Sequence, residues 1–264
     1  MRILEQKFMR LFIILLCKAM IMKPIYIFLF ISFNLFCQND SIDSNGLKQG
    51  LWELYFPYST DSIVSERGHF INNVEDGLWC KYYDNRIIRE ISYYNQGILH
   101  GESFSFDKRG RLKSQEIFLN NKLHNTQLYY FDSGKLSAEY NYLNGVMEGA
   151  MIRYYKNGNI QEKVFYINNK KHGTSSWFFD NGQVSIEYSY NNGIISGNSL
   201  AYYKEGQLKS TSLYVDNNQH GEYILYYPSG VVKEKGNFIS GKKSGRWFIY
   251  DSLGIEINYV KYKQ

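Results

Sequence analysis

The chain has 264 residues, with 30 Lys and Arg against 25 Asp and Glu, a formal net charge of +5. Residues 1–38 hold five of the basic residues and one acid, so the remainder carries 25 basic and 24 acidic residues. A nearly neutral remainder gives no electrostatic basis for binding nucleic acid, where clustered Lys and Arg are expected, and little for binding an anionic membrane surface.

Residues 1–38 have the features of a signal peptide or leader. An apolar run at 25–36 follows Lys23 and is shorter than the roughly 20 residues that a spanning helix needs. A short positive region followed by 12 apolar residues is typical of a signal peptide. We expect translation to start at Met20 or Met22, because both stand directly before this pattern.

Two cysteines bear on compartment and chemistry. Cleavage after Cys37 fits the small-residue requirement of a signal peptide, whereas lipidation of Cys37 is disfavoured by the bulky Phe36 before it. Retention of the leader as an anchor is a further alternative. We expect an exported protein, either periplasmic, in the cell envelope or secreted. Without the leader Cys80 is the one remaining thiol, which can neither close an intrachain disulfide nor build a Cys-based zinc site.

Residues 39–49 are predicted to be a short linker that begins the first repeat, and residues 50–264 form a repeat array. The repeat is anchored by a column of glycines with one asparagine: Gly50, Gly77, Gly101, Asn125, Gly149, Gly173, Gly197, Gly221 and Gly245. Each step is 24 residues except the first, which is 27. A period in this range indicates stacked units that share one core. Positions within a repeat are counted from this anchor.

Further columns show how each repeat folds. Aromatic residues recur at +5 (Tyr55, Tyr82, Phe106, Tyr130, Tyr154, Phe178, Tyr202, Tyr226, Tyr250) and at +17 (Phe70, Tyr94, Phe118, Tyr142, Tyr166, Tyr190, Tyr214, Phe238, Tyr262). Position +11 is aliphatic and +12 is polar (Ile88 and Arg89 in one repeat, Leu136 and Ser137 in another). This alternation is typical of strands, and no helix template fits it. Because +11 and +17 differ by an even number, we expect them to share one face.

Glycine and asparagine mark two turns in each repeat. One column lies at +9: Gly110, Gly134, Gly158, Gly182, Gly206, Gly230 and Gly254. The other alternates between glycine and asparagine: Asn73, Gly97, Asn121, Gly145, Asn169, Gly193, Asn217 and Gly241. Both residues tolerate the left-handed conformation that tight hairpins require. The sequence therefore predicts an all-β protein, an elongated single-layer antiparallel β-meander of about nine 24-residue β-hairpin repeats and about eighteen strands.

Segments 77–83 (GLWCKYY) and 245–250 (GRWFIY), each followed by a turn, resemble bacterial MORN-repeat variants. That family includes the YwqK-like proteins, which are often labelled antitoxins. The resemblance covers about residues 46–264 and implies hairpin repeats, while the antitoxin label implies neutralisation of a toxin. The family's tryptophan at +2 remains as Trp52, Trp79 and Trp247, so we expect no continuous tryptophan row.

Four tryptophans are the candidate partner contacts: Trp52, Trp79, Trp177 and Trp247. We expect them on the face opposite the +5 and +17 columns. Two roles stay open for them, either as caps at the ends of the array or as contact points for a partner.

Four histidines directly precede an anchor: His100, His124, His172 and His220. Members of neighbouring repeats are about 10 Å apart, whereas ligand nitrogens lie about 2.1 Å from one zinc ion. We therefore interpret these histidines as polar turn residues. The sequence shows no nucleophile elbow and no glycine-rich phosphate loop, so we expect no catalytic residue, no metal site and no cofactor.

Two hypotheses for the function follow from these observations. The first is a non-catalytic exported scaffold that binds a protein partner, with toxin neutralisation implied by the family resemblance. The alternative is an envelope-associated structural protein that contacts lipid or cell-wall glycan through surface aromatics. Extended surfaces are what repeat arrays usually present to partners, which favours the first hypothesis.

Overall fold

The computed structural model of the chain describes residues 40–58 and 61–263. These residues contain 22 strands and no helix, and so none that is long and apolar enough to cross a membrane. The strands are β1 Ser41–Ile42, β2 Lys48–Tyr55, β3 Val64–Ile71, β4 Val74–Tyr82, β5 Ile88–Asn95, β6 Ile98–Leu99, β7 Gly101–Phe106, β8 Leu112–Leu119, β9 Lys122–Leu123, β10 Asn125–Tyr130, β11 Leu136–Leu143, β12 Val146–Tyr154, β13 Ile160–Ile167, β14 Lys170–Lys171, β15 Gly173–Phe178, β16 Val184–Asn191, β17 Ile194–Tyr202, β18 Leu208–Val215, β19 Asn218–Tyr226, β20 Val232–Ile239, β21 Lys242–Tyr250 and β22 Glu256–Tyr262. The predicted leader, with Met20, Met22 and Cys37, lies outside the described residues.

The strands form one open antiparallel sheet in which neighbours along the chain pair with each other. β6, β9 and β14 are two-residue pieces that continue into the strands after them, and β1 is a two-residue strand beside the start of β2. Leaving these four short pieces aside, 18 of the 22 strands remain in the described part of the chain. The predicted all-β meander of antiparallel hairpins is confirmed.

The turns of the alternating Asn/Gly column have two left-handed residues each. Asn168 and Asn169 have φ of 49° and 62°, and Asn192 and Gly193 have φ of 50° and 87°. Two positive φ values define the type I′ turn, whose twist matches that of the flanking strands. The prediction from the Gly and Asn columns is confirmed.

The alternation of Asn and Gly has a structural counterpart between repeats. The Asn169 N–H donates to Met147 O at 3.0 Å, and the Gly193 N–H donates to Lys171 O at 2.7 Å. Asn169 adds a second link, because its Oδ1 accepts from the Met147 N–H at 2.7 Å. The other asparagines of the column repeat that link: Asn73, Asn121 and Asn217. Every second hairpin is thus joined twice to the preceding repeat.

The +9 turns also connect one repeat to the next. Gly110 has φ of 79° and donates its N–H to Asp107 O at 2.9 Å, which closes a tight turn. Beside several such turns a tyrosine hydroxyl donates to a carbonyl of the following repeat, as Tyr155 does to Phe178 O at 2.7 Å. Each turn is therefore held partly by its neighbour, as expected for a stack of modules.

The anchor residues lie inside strands, at a bulge. All of them have positive φ, from 63° at Asn125 to 108° at Gly197. The register shifts there: Tyr140 pairs with Met151, whereas Tyr142 pairs with Met147. A left-handed residue is required at the bulge, so glycine, or asparagine in its place, recurs at this point of every repeat.

A second bulge in each repeat decides which columns share a face. Tyr129 pairs with Ala138 and Tyr130 pairs with Leu136, so Ser137 at +12 is an extra residue. The same shift occurs in the other repeats. Position +11 therefore lies on the face of +5 and opposite +17. The expectation that +11 and +17 share a face is wrong, because the extra residue interrupts the alternation of side chains.

The core is one row of side chains that crosses the sheet, formed by positions +2 and +15. Buried residues at +2 are Trp79, Ser103, Gln127, Met151, Ser175, Ser199 and Trp247. Their partners at +15 include Ser92 opposite Trp79 and Val164 opposite Met151, and both of these are 1% exposed.

Two tryptophans pack flat on glycines near the two ends of this row. A Cβ added to Gly68 would lie 2.3 Å from Trp79 Cδ2, and one added to Gly236 would lie 2.4 Å from Trp247 Cδ2. Trp79 Nε1 donates to His69 O, and Trp247 Nε1 donates to Asn237 O, each at 3.2 Å. This packing favours the interpretation of these two residues as caps.

Gln127 takes the place of tryptophan in the middle of the row. Its side chain is fully buried, and its Oε1 accepts from the Ile117 N–H at 2.7 Å. Its Nε2 donates to the carbonyls of Ile117, His124 and Asn125. Ile117 occupies the same repeat position as His69 and Asn237, so glutamine and tryptophan satisfy the same carbonyl next to the anchor bulge.

Candidate functional site

We call the side of the sheet that carries the +17 aromatics the ring face. Strand pairing places positions +2, +4, +13 and +15 on this side, and positions +3, +5, +11 and +14 on the opposite face. Ring contacts agree: the Trp79 centroid lies 5.0 Å from that of Phe70 and 6.5 Å from that of Tyr94.

All four candidate tryptophans lie on the ring face. They are opposite the +5 column, as expected, but on the same side as the +17 column; the expectation of a face opposite both columns is wrong because +5 and +17 themselves face apart. Trp79 and Trp247 are 1% exposed, so a partner cannot reach them in this conformation. Trp52 and Trp177 are half-buried and remain accessible.

The histidines lie in strands rather than in turns. His100, His124 and His172 each separate a two-residue strand piece from the strand that begins at the anchor, and His220 lies within β19. The His124 Nδ1 accepts from the Asn144 N–H at 3.3 Å, a structural contact with a hairpin turn. Within residues 40–58 and 61–263, no three His, Cys, Asp or Glu side chains come together as ligands of a metal ion.

An ion cluster occupies the middle of the ring face. The Glu162 carboxylate is 9% exposed as a residue, and its two oxygens lie 3.8 Å from Arg153 Nη1 and 3.8 Å from Lys171 Nζ. Arg153 Nε also donates to the Tyr140 hydroxyl at 3.3 Å. Two cations share one carboxylate, so this cluster carries a net positive charge.

Lysines at position −2 lie over aromatic rings of the same face. Lys171 Nζ is 5.1 Å from the Trp177 centroid and 5.3 Å from the Tyr190 centroid. Lys243 Nζ lies 3.8 Å from the Trp247 centroid. Such cation–π contacts hold an ammonium group beside the rings, which places charge and aromatic surface at one site.

An open cleft of about 500 Å³ lies next to the ion cluster. Its lining residues come from two successive repeats: Tyr129, Phe131, Ser137, Ala138, Tyr140, Tyr142, Arg153, Tyr154 and Gln161. Tyr129 and Tyr140 stand edge to face, with centroids 5.5 Å apart. Half of the Arg153 side chain is exposed at the cleft. A cleft with aromatic walls and a few polar groups is a typical ligand site.

Three tyrosines of the +17 column present hydroxyls without a hydrogen bond to any other described residue: Tyr142, Tyr166 and Tyr190. Burial raises the pKa of each of these phenols, so all three are protonated donors near neutral pH. Tyr129 differs, because its hydroxyl already donates to Glu116 Oε1 at 2.7 Å.

The chemistry of this site is that of recognition. Its groups are phenol donors, aromatic rings and fixed charges, which are the residue types enriched in interface cores. On the opposite face, burial raises the pKa of the Cys80 thiol, which keeps it protonated and unreactive near neutral pH.

The sequence analysis missed the ion cluster. A signal was present, because Glu162 at +13 precedes Lys171 by nine residues, and Glu234 precedes Lys243 by the same interval. The latter pair lies at 2.7 Å. Recognising either pair requires knowing that +13 and −2 share a face, which the bulges determine.

The family model described as "MORN repeat variant" matches five consecutive segments of the chain: 123–144, 147–168, 171–192, 196–216 and 219–240. The segments follow the period read from the anchor column and fall on successive hairpins of the sheet. The chain belongs to the MORN-repeat family.

No curated protein matches the chain. Among solved structures, the GtfA/B complex bound to UDP and GlcNAc is similar at 13% identity and a TM-score of 0.20, over 43% of this chain and 22% of that chain. The S. aureus TarM in complex with fondaparinux, α-GlcNAc-glycerol and UDP is similar at 17% identity and a TM-score of 0.21, over 50% and 21%. The TcdB2-TccC3-Cdc42 structure is similar at 11% and 0.22, over 80% and 14%. The chain thus spans a small part of each, and scores this low carry no inference about it.

Proposed function

We propose that this chain is a non-catalytic, exported scaffold that binds a protein partner through its ring face. The observation that carries the proposal is the ring face between Tyr129 and Tyr190, where half-buried aromatics, unpaired hydroxyls and a net positive ion cluster lie side by side. Aromatic and arginine side chains of this kind dominate the binding energy of protein interfaces.

Export belongs to the proposal through the leader predicted at residues 1–38. Toxin neutralisation is the finer form of it, in which the partner is a toxin, as the antitoxin label of the resembling proteins implies. The competing function is contact with cell-wall glycan. It is favoured by Trp177 and Tyr190, whose half-buried rings could stack on sugars.

Affinity capture with face-directed variants tests the proposal. Arg153→Glu reverses a charge on the ring face, and Lys163→Glu reverses one on the opposite face of the adjacent strand, where Lys163 pairs with Ile152. We expect the tagged protein and the Lys163→Glu variant to retain one stoichiometric protein partner from cells that make the chain, and Arg153→Glu to lose it.

Equal capture by both variants would refute a role for the ring face. Retention on purified cell-wall glycan, lost in Arg153→Glu, together with no protein partner, would support the competing function instead.

A further inference from the structure

We propose that the ring face binds a proline-rich segment in the polyproline II conformation, laid across successive repeats. This inference rests on the proposed function and specifies the chemistry of its protein partner. Its basis is a match between the period of the sheet and the period of the ligand, together with the groups that the ring face presents.

The first argument is the spacing of the rings. Tyr142, Tyr166 and Tyr190 occupy the same position in three consecutive repeats, and each repeat adds two strands, or about 9.6 Å. A polyproline II helix has three residues per turn and rises about 3.1 Å per residue, which gives about 9.3 Å per turn. Each turn of such a ligand therefore meets an equivalent tyrosine.

The second argument is hydrogen bonding. A polyproline II helix has no internal hydrogen bonds, so its carbonyl oxygens need donors from outside. The hydroxyls of these three tyrosines are protonated and bond to no other described residue. Donors recur at the same interval as the ligand's carbonyls, and the ligand asks for no N–H acceptor in return, since proline has none.

The third argument is shape. Tyr129 and Tyr140 meet edge to face at 5.5 Å, and Trp177 and Tyr188 do so at 5.9 Å, 48 residues further on. Edge-to-face rings leave grooves between them, and aromatic-lined grooves are the recognised docking sites of proline-rich segments. The cleft of about 500 Å³ lies at the first of these pairs.

Charge predicts the guest residue of the ligand. Arg153 and Lys171 share the single carboxylate of Glu162 between the tyrosine positions. The excess positive charge favours an acidic residue at every third position over a basic one.

Titration with synthetic peptides tests the proposal. The probes are twelve-residue peptides with four copies of Pro-Pro-Glu or of Pro-Pro-Lys, each with a counterpart in which glycine replaces proline. Isothermal titration with the whole chain should show binding of the proline peptides over their glycine counterparts, with the acidic one tighter.

Matched triple variants separate the hydroxyls from the rings. Tyr142→Phe, Tyr166→Phe and Tyr190→Phe together should weaken binding by about 10- to 100-fold, because three donors are lost while the rings stay. The control triple changes three consecutive +5 tyrosines on the opposite face, Tyr202→Phe, Tyr226→Phe and Tyr250→Phe, and should change affinity less than twofold.

The proposal is overturned if neither proline peptide binds better than its glycine counterpart, or if both triples lose affinity equally. Binding of an N-acetylglucosamine hexamer in place of the peptides, with the same loss in the ring-face triple, would overturn it in favour of a glycan. If the peptides fail while Arg153→Glu still abolishes capture of the protein partner, only the polyproline inference falls. If Arg153→Glu also has no effect on capture, the proposed function falls with it.

Discussion

Replacing Gly236 with alanine tests how the array is closed. Gly236 lies directly under Trp247, and an added Cβ would stand 2.4 Å from Cδ2 of a ring that is 1% exposed. That separation is more than 1 Å shorter than an ordinary carbon–carbon contact of about 3.5 Å. Overpacking of this kind costs about 1–3 kcal/mol and sometimes more, and Gly236 does not have the positive φ that would add backbone strain. We therefore expect Gly236→Ala to lower the free energy of unfolding by about 3 kcal/mol.

A double-mutant cycle isolates the contact. Trp247→Ser installs the residue that interior repeats hold at this position, as in Ser103 and Ser175, and should cost about 3–5 kcal/mol on its own. The double variant should cost little more than Trp247→Ser alone, because the serine removes the clash. The coupling free energy should therefore be about 3 kcal/mol.

Urea unfolding followed by circular dichroism measures the cycle, and Gly68→Ala with Trp79→Ser repeats it at the other end of the core row. A chain of this size shifts its melting temperature by about 2–4 °C per kcal/mol, so thermal unfolding gives a second reading. Additive penalties, or a Gly236→Ala variant as stable as the parent, would refute the packing of tryptophan on glycine.

Three further predictions follow from single contacts. Gln127→Met keeps the volume but leaves the buried Ile117 N–H without its acceptor, so urea unfolding should show a loss of about 1–3 kcal/mol; an unchanged midpoint would contradict this. Asn169→Gly keeps the turn but loses the bond to the Met147 N–H and should cost about 1 kcal/mol, whereas Asn169→Ala should cost more because alanine is strained at φ of 62°; the reverse order would be inconsistent with a type I′ turn. The side chain and backbone of Arg111 lower the pKa of Asp107 to about 2. Because this pKa is depressed, the stabilisation is present above the unfolded value near 4 and is lost as pH falls through about 2; an NMR titration of Asp107 with a midpoint near 4 would disprove it.

Much of the fold follows from the sequence because the columns have local causes. Glycine and asparagine at residues such as Asn169 and Gly193 are required by positive φ in the turn itself, so the hairpins could be located without knowing any distant contact. The same holds for the number of repeats, since each anchor needs a left-handed residue.

The arrangement of the faces could not be predicted in the same way. Ser137 and Gln161 are ordinary polar strand residues in the sequence, yet each occupies the extra position of a bulge and reverses the side-chain alternation after it. Counting even and odd positions therefore placed +11 and +17 on one face, and it separated the tryptophans from the +17 rings.

The candidate site depends on those same bulges. Arg153, Glu162 and Lys171 come from positions +4, +13 and −2, which meet only after both register shifts. Trp79 and Trp247 carry no mark in the sequence that distinguishes them from the more accessible Trp52 and Trp177. Burial in the core row and the glycine beneath each ring set them apart.

Photo-crosslinking from two adjacent residues tests the central claim, that one face of the sheet binds the partner. Tyr166 lies on the ring face and Phe165, its neighbour in β13, lies on the opposite face with 45% of its surface exposed. With benzoylphenylalanine at either position in cells that make the protein, a covalent complex should form from position 166 and not from position 165. A complex that forms from position 165, or equally from both positions, would contradict the account.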